Sequence, residues 1–92
     1  MVVTIKYYNL IARKTGQGEE VLKVPAGITV HRFLASLGVK YGKAFSEYLL
    51  SPDGTLQPHI ALFRSSMPGM LQPDDILYDG DVLHLMVKLS GG

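Results

Sequence analysis

One helical stripe set among segments that alternate with a period of two restricts the fold of this chain more than any other feature. Val30, Phe33, Leu34, Leu37 and Tyr41 recur at i, i+3, i+4, i+7 and i+11, which gathers them on one side of an α-helix. Thr29 stands just before them as an N-cap. The flanking segments keep a different beat. "VVTIKYY" (Val2 to Tyr8) sets Val3, Ile5 and Tyr7 on one face and Thr4, Lys6 and Tyr8 on the other. In "EEVLKV" (Glu19 to Val24), Leu22 and Val24 form the inward pair. "HIALFR" (His59 to Arg64) separates Ile60 and Leu62 from Ala61 and Phe63. "VLHLMVKL" separates Leu83, Leu85, Val87 and Leu89 from Val82, His84, Met86 and Lys88. Period two with β-branched residues means half-buried strands. A lone hairpin is marginal, but a twisted sheet laid over one amphipathic helix buries both apolar faces. The expected class is α+β: a mixed sheet of four to five strands packed on one main helix, in the order β-β-α-β-(short β)-β. The first and last strands carry no charge on their inner faces and are expected at the centre of the sheet.

The connections are read from their turn chemistry. "NLIARKTGQGEE" suggests a hairpin-like link with a loose loop through Gly16 and Gly18, and Pro25-Ala26-Gly27 stops the second strand. Gly38 and Gly42 are candidate ends of the helix. "KAFSEYLL" reads as a short helical turn with Phe45, Tyr48 and Leu49 inward, and "SPDG" (Ser51 to Gly54) as a turn. "SSMPGM" also reads as a turn. "LQPDDILYDGD" is expected to hold a short fourth segment or a 3₁₀ turn that ends in Asp79-Gly80.

Ninety-two residues support one domain, residues 1–88, followed by a flexible tail, residues 89–92. With 47% hydrophobic and 18% charged residues the chain belongs with globular proteins. It has no cysteine, which excludes disulfides, thiolate catalysis and zinc–thiolate sites. A cytoplasmic home is expected, since small secreted domains more often carry disulfides and "MVVTIKYYN" lacks the pattern of a signal peptide. The net charge of +1 argues for neither a nucleic-acid nor a membrane partner. Residues 1–50 hold seven basic against three acidic residues, and residues 51–92 hold two against five. Basic helix and strand surfaces with Asp-rich turns explain that split better than an acidic steering face. His31, His59 and His84 match no metal-ligand spacing, and Asp74, Asp75, Asp79 and Asp81 match no EF-hand. "GQG" (Gly16 to Gly18) is too short for a phosphate-binding loop.

The last strand runs into Ser90-Gly91-Gly92. A glycine pair at a terminus is most simply a frayed end. It also suits a carboxylate that reacts in another protein's active site. A backbone without Cβ threads a narrow channel, and four extended residues reach about 13 Å. A carboxylate with a pKa of about 3.5 is ionised at neutral pH and resists nucleophiles, so it needs activation, most naturally as an acyl-adenylate made from ATP by a partner. The outward residues Ala61, Phe63, His84 and Met86 form an apolar patch if the third and last strands are neighbours. That patch is either covered by the loop after Tyr8 or a dimer mate, or it is a docking surface.

Taken in order, "TVHRFLASL", "SPDGTLQPHIALFR", "LYDGDVL" and the closing "DGDVLHLMVKLSGG" resemble the ubiquitin-like sulfur carriers, the family of the molybdopterin synthase small subunit (MoaD) and the thiamine sulfur carrier (ThiS). The resemblance covers essentially the whole chain and implies the β-grasp fold. It implies that Gly92 is adenylated by an activating enzyme that uses ATP, then converted to a thiocarboxylate. Gly91, Ser90 and Leu89 would lie in the partner's channel, and Phe63, His84, Met86 and Ala61 would dock. The implied partners are that activating enzyme and the large subunit of a synthase such as molybdopterin synthase. The chain would bind no cofactor itself and would be a co-substrate or subunit, not an enzyme. Val87-Lys88-Leu89 departs from the prolines usual in molybdopterin-synthase small subunits and is closer to ubiquitin's tail. Two other readings remain open: a modifier joined to lysines through Gly92, and a passive β-grasp binding module.

Overall fold

The computed structural model describes residues 1–88. They form β1 (Val2–Tyr7), α1 (Asn9–Thr15), β2 (Glu19–Lys23), α2 (Val30–Tyr41), α3 (Lys43–Leu49), β3 (Ile60–Arg64), β4 (Met67–Met70) and β5 (Val82–Val87). The sheet has the order β2-β1-β5-β3-β4. β1 pairs antiparallel with β2 and parallel with β5, and β3 pairs antiparallel with both β5 and β4. The first and last strands therefore lie side by side inside the sheet, as their uncharged inner faces require.

Alternation sorts each strand. Val3, Ile5 and Tyr7 of β1, Ile60 and Leu62 of β3, and Leu83 and Leu85 of β5 are buried. α2 lays Val30, Phe33, Leu34 and Leu37 into the same core, and α3 adds Phe45 and Leu49. Each such side chain contributes roughly 1.5–3 kcal/mol on burial. Thr29 caps α2, its side-chain oxygen accepting from the Arg32 N–H at 3.2 Å. This is the ubiquitin-like β-grasp arrangement: a mixed five-stranded sheet on one main helix.

Three local readings are corrected. Asn9–Thr15 is a helix, not a loose loop: Ile11 is fully buried and anchors it, and Gly16, at φ +74°, ends it by donating to the Ala12 carbonyl at 2.9 Å. With only seven residues and no side-chain N-cap, α1 carries weak local signals and depends on that one anchor. The short strand lies at Met67–Met70, within the stretch read as a turn, and residues 71–81 are turns and loop with one bridge, Thr29 to Ile76. Pro68 obscured it; proline is tolerated there because β4 is at the edge of the sheet. Gly38 does not end α2. A Cβ at that position would stand 2.7 Å from Ser46 Cβ and Oγ, so glycine is what allows α2 and α3 to approach. The stop is Gly42, at φ +104°.

Candidate functional site

The site is built where β5 ends. β1 accompanies β5 as far as Tyr7 opposite Leu85, and the Tyr8 N–H donates to the Leu85 carbonyl at 3.1 Å. There α1 begins, and β5 loses its strand neighbour on that side. The side chain of Asn9 takes over. Its Oδ1 accepts from the Val87 N–H at 3.2 Å and its Nδ2 donates to the Val87 carbonyl at 3.3 Å. Asn9 holds φ +43°, the one non-glycine residue with positive φ among those described. Asparagine tolerates that region better than most residues, and such strain commonly marks positions with a function. On the other side, Ile60 pairs with Val87, and the Lys88 N–H donates to the His59 carbonyl at 2.7 Å. The strand is thus held on both sides to its last described residues.

The outer sheet face beside this end is formed by two cross-strand pairs, Ala61 with Met86 and Phe63 with His84. The four residues expected to dock do come together. Ala61, however, is only 4% exposed, so the accessible patch consists of the half-buried Phe63, His84 and Met86. Its rim includes residues that alternation did not single out. The Tyr8 hydroxyl is hydrogen-bonded to His84 Nδ1 at 2.7 Å, and the Ser65 hydroxyl to His84 Nε2 at 2.6 Å. Both ring nitrogens are engaged, which fixes the plane of the imidazole. Nearby, the His59 ring packs on Tyr48 with centroids 4.5 Å apart, and Lys14 Nζ stands 4.4 Å from the Tyr48 ring. Leu89, Ser90, Gly91 and Gly92 lie outside the described residues.

The remaining polar features support the frame. Glu20 is buried on the inner face of β2, where it accepts hydrogen bonds from Tyr7, Tyr41 and Lys40. Burial alone would raise its carboxyl, but the hydrogen bonds from Lys40, Tyr41 and Tyr7 outweigh that and hold it below the usual range. Glu20 shares the parity of Leu22 and Val24, so alternation alone would have placed it inward. Arg64 is buried, donates to the Ile76 carbonyl at 2.8 Å and lies 3.8 Å from Asp81. Asp79 and Asp81 each accept from a backbone N–H, of Val2 and Tyr78 respectively, at 2.8 Å, as turn aspartates do. His31 is exposed on the first turn of α2. Among the described residues no three His, Asp or Glu side chains cluster as a metal site, and no helix is long and apolar enough to cross a membrane. A cleft of about 580 Å³ between α2, α3 and the Ser51–Gly54 turn includes no residue of β5.

No family model and no curated protein sequence matches the chain. Solved structures do. SAMP1 from Haloferax volcanii is 24% identical, with all of both chains covered and a TM-score of 0.81. A Pyrococcus furiosus protein assigned as molybdopterin converting factor, subunit 1, is 19% identical over 97% of this chain and 99% of its own, with a TM-score of 0.77. CysO, in the BexX/CysO complex of Amycolatopsis orientalis, is 20% identical over 98% and 99%, with a TM-score of 0.67. The fold of this chain is that of the ubiquitin-like β-grasp proteins, among whose solved structures stand a small archaeal modifier and a molybdopterin converting factor subunit.

Proposed function

We propose that this chain is a sulfur carrier that works through its Gly92 carboxyl. A partner enzyme joins the Gly92 carboxylate oxygen to the α-phosphorus of ATP and releases pyrophosphate. A hydrosulfide-level donor then attacks the acyl carbon, AMP leaves, and a thiocarboxylate remains. The chain contributes the carbonyl and the docking face, while the partner supplies the ATP chemistry, so this chain is a co-substrate and not an enzyme. A synthase subunit then draws on the thiocarboxylate, most naturally in making molybdopterin, in the cytoplasm. The observation that carries the reading is the double tether of β5 at Val87 and Lys88. It gives Leu-Ser-Gly-Gly a rigid base at the rim of the sheet, beside the patch of Phe63, His84 and Met86. Preorganisation of that kind lowers the ordering cost of entering a partner's site.

The test is the intact mass of the protein isolated from its host, and of the protein incubated with its activating enzyme, ATP and sulfide. The expected species ends at Gly92 and has one oxygen exchanged for sulfur; deletion of Gly92 abolishes it without changing the melting temperature. Full activity of a variant with a residue appended after Gly92 would refute the proposal. A second reading, conjugation of Gly92 to lysine amines, is favoured by the likeness to small archaeal modifier proteins. Recovery of the chain linked to larger proteins would decide for it.

A further inference from the structure

We propose that β2 is a self-complementary edge that pairs antiparallel with β2 of a second copy of this chain, about a two-fold axis at Val21. β2 is at one edge of the sheet. Its pairing with β1 places Tyr7 opposite Gly18 and Met1 opposite Val24 as hydrogen-bonded pairs, with Tyr7 donating to Gly18 at 2.9 Å and Val24 to Met1 at 2.9 Å. Hydrogen-bonded and non-hydrogen-bonded pairs alternate along an antiparallel ladder. Glu20 and Leu22 therefore turn their backbone groups to β1, and Glu19, Val21 and Lys23 turn theirs outward. Such an unpaired row is a template for another strand.

The side chains choose the occupant. In an antiparallel pair centred on Val21, Glu19 lies opposite the second copy's Lys23, Lys23 opposite its Glu19, and Val21 opposite its Val21. The outward backbone groups meet in the same register. Glu19 and Lys23 are exposed, and Val21 is 63% exposed, a large value for a strand valine. A shift by two residues would set Val21 opposite a charge and leave the remaining charge without its opposite. The other edge is less suited, since Pro68 lacks an N–H and the β3–β4 register breaks between Phe63 and Arg64. The interface is isologous, as a two-fold dimer requires. It is also compatible with the proposed function without depending on it. β2 runs antiparallel to β5, so in the dimer the two β5 strands run in opposite directions and their ends face opposite rims.

The test is sedimentation equilibrium of the full chain from about 10 μM to 1 mM, with melting temperatures recorded for each variant. Wild type is expected to associate reversibly to a dimer. Lys23 lies opposite Val2 within its own sheet, so Lys23→Glu leaves the monomer's charge pairs alone. It sets Glu against Glu twice across the axis and is expected to raise the dimer Kd at least about tenfold. The triple variant Lys6→Glu, Glu19→Lys and Lys23→Glu restores the pairing across the axis while keeping opposite charges at positions 6 and 19, which face each other within the sheet, and is expected to return to within about threefold of wild type. Val21→Pro, whose lost N–H faces away from β1, is expected to remove the dimer while the fold melts as before. A chain monomeric at every concentration would overturn the proposal. So would a dimer indifferent to Lys23→Glu, or one that the triple variant fails to restore.

Discussion

The side-chain amide of Asn9 pairs with the backbone of Val87 as a neighbouring strand would, accepting from its N–H at 3.2 Å and donating to its carbonyl at 3.3 Å. A residue at the start of α1 thus completes the ladder of β5, 78 positions along the chain.

Asn9→Ala is expected to loosen this end of the strand. It removes both bonds and places alanine at φ +43°, a region that favours asparagine and glycine. The Val87 amide should exchange with solvent at least about tenfold faster, for a loss of about 1.5 kcal/mol. Asn9→Gly relieves the backbone but not the lost bonds, so it should recover only part of the effect. Hydrogen exchange read residue by residue checks both, and equal protection in all three proteins would show that the tether carries no energy.

The outer patch separates docking from folding. Met86→Asp and Phe63→Asp alter half-buried side chains and are expected to weaken binding of the activating enzyme by at least about tenfold with small changes in melting. Ala61→Asp buries a charge at a position 4% exposed and should instead cost several kcal/mol of stability. Calorimetric titration beside thermal melting distinguishes the two patterns. Unchanged affinity for both half-buried variants would remove the patch from the docking surface.

Gly38→Ala sets two opposing effects against each other. Alanine gains about 1 kcal/mol of helix propensity, but its Cβ would stand 2.7 Å from Ser46 Cβ and Oγ, and overpacking costs about 1–3 kcal/mol. Net destabilisation is expected because Ser46 Cβ is fixed to the backbone of α3, so no side-chain rotation relieves the clash. Ser46→Gly in the same chain should recover most of the loss. A more stable single variant in urea unfolding would show that α3 gives way at no cost.

The Glu20 cluster is expected to contribute to both the acid and the alkaline limits of stability. The Glu20 carboxyl sits below its ordinary range, so its contribution is present above the unfolded pKa of about 4.3 and is lost as pH falls through the lower folded value. Burial first, then the hydrogen bond to Glu20, push the Tyr7 hydroxyl up, and the hydrogen bond to Glu20 raises Lys40. These contributions are present below about pH 10 and are lost as pH rises through the raised folded values. Glu20→Gln should reduce the acid limb, to which Asp53, held low by its hydrogen bonds from Thr55, also contributes, and Tyr7→Phe should reduce the alkaline one, as measured by urea unfolding across pH. An acid limb identical in Glu20→Gln would assign it to other carboxylates.

Strand faces, the helix stripe and the central pairing of β1 with β5 were legible in the chain because alternation and the 3.6-residue period are local and each has only one way to bury its apolar face. The apolar pairs across β3 and β5 followed from the same parity. Tyr8, Asn9 and Ser65 were not legible, since their partners, His84 and Val87, lie far along the chain and nothing local marks a polar side chain as the one that meets them. Helix α1 and strand β4 were hidden for a related reason. A seven-residue helix and a four-residue edge strand with a proline have little propensity of their own and exist because Ile11 and the edge of β3 hold them. What the sequence by itself determined is which residues seek the core and in what rhythm. Only the tertiary structure decided how polar groups distant in sequence meet, because a hydrogen bond depends on position in space and leaves no period in the chain.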